Sequence, residues 1–138
     1  MVHGAMISIQ TKGFSDIHNL TDKVRTIIRE SSITDGIAVV SAVGSTASIS
    51  TIEYEGALVA DVQEQLEKTV PHTMHSRHSQ TWGDDNGFSH IRATLMGPSI
   101  TIPLVEGEPV LGTWQQIIVI DHDNRPRNRK VYVQVLGE

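Results

Sequence analysis

Four of the chain's seven histidines, His72, His75, His78 and His90, fall in one short stretch. Neutral imidazole ligates Zn²⁺ and related metals, and it titrates near neutral pH. His72, His75 and His78 are spaced by three. On a helix they would share a face, and on a loop they could converge. Between His78 and His90 lie Trp82, Asp84, Asp85 and Asn86. Acids beside imidazoles orient them or complete a metal site. His78 and His90 are therefore the candidates for acid–base catalysis or for holding a divalent metal, Zn or Mg. His72 and His75 read as members of a solvated polar loop.

Three other stretches carry chemistry-bearing side chains. GSTASIS, Gly44 to Ser50, follows an apolar run and offers backbone N–H and hydroxyl groups to an anion such as phosphate. Hydroxyl residues are also common in turns and on strands for structural reasons. Glu53 ends that stretch, where a solvated charge is the ordinary reading. In GTWQQ, Thr113 and Gln115 would share one strand face, which needs polar partners. DHDNRPRNRK gathers Arg125, Arg127 and Arg129 with Lys130, a set that binds phosphate or pairs with acids. No phosphate-binding P-loop, dinucleotide glycine fingerprint or serine-hydrolase elbow occurs.

The elements that must position these residues follow from periodicity. MISIQTK, Met6 to Lys12, alternates like a half-buried strand. Thr21 and Asp22 open a helix whose face is Val24, Ile27 and Ile28, ending near Ser31 or Ser32. IAVVSAV reads as a buried strand, and STASISTIEYE as a strand or strand pair. Leu58, Val62 and Leu66 mark a second helix. From Pro71 to His90 the pattern is lost. A long loop is expected there, closed by a short helix over His90 to Met96; such loops are often functional. SITIPLV, the long run VLGTWQQIIVID, and KVYVQVLGE read as strands, with Val131, Val133 and Val135 on one face. The expected architecture is α+β, a largely antiparallel curved sheet with two or three helices.

Composition sets the limits. A chain of 138 residues is expected to form one domain, residues 1–138. It has no cysteine, which excludes disulfides, thiolate ligands and a cysteine nucleophile. A net charge of −5 argues against non-specific nucleic-acid binding, which needs an excess of cations. No apolar run reaches the roughly 18 residues of a membrane span. The N-terminal residues lack the basic start and apolar core of a secretory signal. A soluble, cytoplasmic protein without membrane or nucleic-acid partners is expected.

GSTASISTIE, DDNGFSHIRATLMGPSITIPLVEG, LGTWQQIIVID and NRPRNRKVYVQVLGE, in that order, resemble the YjbQ family, whose members have been described as secondary thiamine-phosphate synthases. The likeness runs from about Ile37 to the C-terminus. It implies a mixed, mostly antiparallel sheet curled into a partial barrel, assembly as a homotrimer, and a weak ability to join a pyrimidine pyrophosphate to a thiazole phosphate. His90 matches the family histidine, with His78 as the upstream partner. Asp85 and Asn86 fall where acids or amides precede it. Glu53 matches the glutamate closing the hydroxyl-rich strand, and Thr113, Trp114 and Gln115 match the G-T-W-Q segment. Gly44 stands where many members carry a histidine, so this chain lacks or replaces that group. The implied roles are acid–base chemistry or metal ligation at His90 and His78, with Glu53 in the catalytic set. Ser45, Thr46, Asp85, Asn86, Thr113, Gln115 and Arg125 would hold a small phosphorylated ligand. The alternative is a metal- or ligand-binding homotrimer without turnover. A weaker one is an interaction surface with incidental histidines.

Overall fold

Strand alternation builds the main sheet. In β8 (Arg127–Gly137), Arg129, Val131, Val133 and Val135 are buried, while Lys130, Tyr132, Gln134 and Leu136 face out. This period of two sets which face meets the core. The computed structural model describes all 138 residues. β8 is the spine of a five-stranded sheet in the order β1-β8-β3-β5-β6. Its other strands are β1 (Val2–Thr11), β3 (Gly36–Ala42), β5 (Ser99–Val105) and the short β6 (Glu108–Pro109). A second sheet runs β2-β7-β4, from β2 (Asp16–Asn19), β7 (Gln115–Asp121) and β4 (Ala47–Glu53). Every strand pairing is antiparallel, and the sheets curl into a half-barrel.

The core lies between the sheets. α1 (Thr21–Ser31) sends Val24, Ile27 and Ile28 into it, beside Ile7, Val40, Ile102, Leu104 and the β8 valines. The helix starts as expected, but Thr21 is not its cap. Asn19 Oδ1 accepts from the Thr21 amide at 3.0 Å and frees the Thr21 hydroxyl to accept from the Ile117 amide at 2.8 Å. β7 is buried on both faces. Ile117 and Val119 join the main core; Ile118 and Ile120 join Ile17 in a smaller cluster under α2 (Gly56–Thr69). No helix is long and apolar enough to cross a membrane.

Four helices are present, more than the two or three expected. The extra helix lies in the region expected to be a loop. α3 (Arg77–Trp82) is capped by Ser76, whose hydroxyl accepts from the Ser79 amide at 3.0 Å, and it stops at the left-handed Gly83. α4 (Gly87–Met96) begins three residues before His90. A six-residue helix without an apolar stripe gives no periodic signal. The long strand expected from Val110 begins only at Gln115, so Thr113 and Trp114 lie outside it and Thr113 shares no strand face with Gln115. Similarly, STASISTIEYE is one strand that ends at Glu53, and Glu55 becomes the N-cap of α2.

Candidate functional site

α3 and α4 place His78 and His90 in their first turns, with the ring centroids 4.6 Å apart and the planes at 62°. The His78 Nε2 atom is buried and has no hydrogen-bond partner. Asp84 Oδ2 approaches it to 3.6 Å, an ion-pair distance too long for a hydrogen bond. The pair opens on a cleft of about 700 Å³ that Arg77, His75 and Gln80 also line. Close approach of the two helices needs Gly87, because a Cβ there would fall 2.1 Å from the Ser76 hydroxyl that caps α3. The chemistry is that of an anion site with two neighbouring imidazoles and one permanent cation.

His75 joins this cleft through Gln80, 2.7 Å from its Nε2. His72 does not. Its Nδ1 lies 2.6 Å from Glu67 and its ring sits edge-on to Phe14 and Phe88. No group of three or more His, Asp or Glu side chains is placed to hold a metal ion. Three protein ligands are the usual minimum for a catalytic zinc. One chain's residues therefore do not by themselves fit a resident metal.

The arginine-rich turn pairs with acids, in a buried polar network that also takes in Thr46, Asn86 and His122. Asp121, His122 and Asp123 are fully buried at the end of β7. Arg129 reaches Asp121 Oδ1 at 2.8 Å, and Arg127 reaches Asp123 Oδ2 at 2.6 Å. Thr11 donates to Asp121, and Arg129 also donates to Thr46. Asn86 donates to Asp123 Oδ1 at 3.3 Å. Burial pushes the Asp123 carboxyl up, but the Asn124 amide, Arg127 and Asn86 outweigh it and hold it below the usual carboxylate range. His122 sits between two hydroxyls, Ser15 at 2.8 Å from Nδ1 and Ser48 at 2.9 Å from Nε2. Burial, then the charge of Arg92, lowers it to about 4, so it is neutral at pH 7. Arg92 donates to Ser15 Oγ at 3.0 Å, which leaves the Ser15 proton for Nδ1. Gly13, Phe14 and Ser15, all at positive φ, wrap this end, and the Phe14 amide donates to the Asp123 carbonyl at 2.7 Å. One signal was available. Two acids and a histidine directly after the apolar run IIVI are costly to bury unless partnered.

The family model described as UPF0047 protein YjbQ-like matches residues 5–138. The chain belongs to the YjbQ family. A UPF0047 protein of Methanothermobacter thermautotrophicus is 35% identical over 137 residues, covering 99% of this chain and 94% of that protein. Another from Archaeoglobus fulgidus is 32% identical, covering 94% and 98%. A crystal structure of a YbjQ-like protein of unknown function from Sulfolobus solfataricus superposes with a TM-score of 0.94 at 30% identity, covering 100% and 99%. The YjbQ family so matched has no function attached to it by these relatives.

The fold divides the YjbQ motif residues between the two ends of β4. At one end are Ser45, exposed, and Thr46, buried in the network. Asn86 joins Thr46 through Asp123. Asn86 also lines a polar cleft of about 390 Å³ with Asp84, Asn124, Arg125 and Arg127, which shares no residue with the histidine cleft. Asp85 is exposed and left-handed, the corner between α3 and α4. At the other end, Glu53 pairs in register with Gln115. A seven-residue rise at about 3.3 Å each separates Thr46 from Glu53 by roughly 23 Å. Within one chain, Glu53, Thr113 and Gln115 do not meet the histidine pair. Gly44 also has an explanation here. A Cβ at that position would lie 2.9 Å from Arg129 Nη1, so a side chain there would require the Arg129 guanidinium to shift.

Proposed function

We propose that the His78–His90 cleft binds a small phosphorylated ligand, and that the two imidazoles with Arg77 stabilise a phosphate group that leaves or is transferred. The observation that supports this reading is the His78–His90 pair on a cleft that Arg77 also lines, with the buried His78 Nε2 making no hydrogen bond and only a 3.6 Å approach to Asp84. Donors held in place before the ligand arrives are the basis of electrostatic catalysis of such steps.

The reaction suggested by the family resemblance is the formation of thiamine phosphate. The thiazole nitrogen would form a C–N bond to the methylene carbon of the pyrimidine substrate. The C–O bond to pyrophosphate would break, and its electron pair would leave with pyrophosphate. Arg77 and protonated His90 or His78 would neutralise that charge. A divalent metal would need a further ligand, from a second copy or from the phosphates. The protein is taken as a homotrimer on the same resemblance, and the exposed Val2, Met6, Val105 and Leu136 give the outer sheet an apolar surface suited to a subunit contact.

The test is to incubate the protein with both precursors in Mg²⁺ buffer and to measure thiamine phosphate. His90→Ala is expected to lose on the order of 10²-fold in rate, the scale of one positioned acid–base group. No product above background, or an unaffected variant, sinks the transfer reading. Saturable pyrophosphate binding without product, lost in His90→Ala, leaves the binding function without turnover. That second reading is favoured by the absence of a carboxylate in hydrogen-bond contact with either imidazole.

A further inference from the structure

The far end of the β2-β7-β4 sheet carries a third cleft, of about 360 Å³, that shares no residue with the histidine cleft. Its walls include Tyr54 and Trp114, 44% and 71% exposed, with Glu53, Glu55, Asn19 and Gln116. The rim is partly fixed. Tyr54 donates to the Ile17 carbonyl at 3.2 Å, and Asn19 donates to Gln116 at 3.2 Å. Glu55 is held by the Ala57 and Leu58 amides at 3.1 and 2.7 Å. The Glu53 carboxylate has neither a hydrogen-bond nor an ion-pair partner, and no Lys, Arg or His lines the cleft.

Such a combination selects for charge type. Aromatic faces attract cations through the ring quadrupole, most strongly for tryptophan. A free carboxylate next to them supplies the countercharge. The set suits a metal ion poorly, because a hard cation needs several oxygen ligands and only one unengaged carboxylate is here. An apolar partner surface would strip water from Glu53 without replacing its hydrogen bonds, which is costly.

We propose that this cleft binds an organic cation of the substituted-ammonium class, with Trp114 and Tyr54 as aromatic walls and Glu53 as the countercharge. The proposal is independent of the phosphorylated-ligand reading. Either can fail while the other stands, because the pyrophosphate titration reports only on the histidine cleft.

The experiment uses the full chain with Trp82→Phe, which leaves Trp114 as the single tryptophan of the two present. Choline is titrated against 3,3-dimethylbutanol, its uncharged shape analogue, with Trp114 fluorescence as the signal. Choline is expected to quench saturably and to bind roughly tenfold more tightly than the alcohol, the difference being its charge. Glu53→Gln should lose most of that preference. Trp114→Leu, followed by calorimetry, should abolish binding; both side chains are exposed, so both variants should fold. Three outcomes overturn the proposal: no saturable signal, equal affinity for choline and the alcohol, or the same choline affinity in Glu53→Gln. A fourth is Trp114 shielded from acrylamide in the ligand-free protein, which would place a second copy over the cleft.

Discussion

His122 and the His78–His90 pair use the same side chain in opposite ways. His122 is fully buried, held by two hydroxyls and kept neutral by burial and by Arg92. His78 and His90 are half-buried, lie against each other and leave His78 Nε2 without a hydrogen bond. The first arrangement uses up the hydrogen-bonding capacity of the imidazole within the fold. The second leaves it for a ligand. Clustering in sequence does not by itself decide the use, since His72 of the same cluster is taken up by Glu67, Phe14 and Phe88; what separates the two kinds is whether the fold supplies the imidazole with partners.

The contrast can be broken most severely at Arg129. It sits between two buried carboxylates, so Arg129→Leu strands Asp121 without its cation. A loss of about 3–5 kcal/mol is expected, measured by urea unfolding; a loss below about 1 kcal/mol would mean the network is hydrated. The next effect is in pH. His122 has a folded value of about 4 against 6.5 when free. As pH falls below 6.5 the unfolded chain takes up the proton first, and the native state follows only near 4. Stability present above pH 6.5 should be lost down to pH 4, by about 3 kcal/mol. That slope should flatten in His122→Gln. The smallest effect belongs to the half-buried pair: His78→Ala and His90→Ala should each cost less than about 1 kcal/mol. A larger loss would show that the pair is structural after all.

The sheet was legible in the residues because strand alternation is strong in Met6 to Thr11 and in Arg129 to Leu136. The pairing of His78 with His90 was also legible, through composition and resemblance. α3 was not, since its six residues are specified by Ser76 and Gly83 rather than by an apolar face. The Asp121–Arg129 network was legible only as one of two alternatives. The arginines read as phosphate ligands or as partners of acids, and only the antiparallel return of β8 beside β1 turns Arg129 inward onto Asp121. The separation of Glu53 from the histidines was hidden for a different reason. Chain order puts Thr46 and Glu53 at opposite ends of β4, but it carries no information about which of those ends α3 and α4 pack near.

α2 is the element with the least invested in the fold. None of its fourteen residues is buried. It is attached by the half-buried Val59 and Val62, by Gln63 on the Ser15 carbonyl, and by Glu67 on Arg92. Elements with few buried contacts lie at the low-stability end of a fold. The two side-chain bonds that tie α2 down, to Ser15 and to Arg92, both lead to His122, so the least buried helix borders on the surroundings of the most buried imidazole.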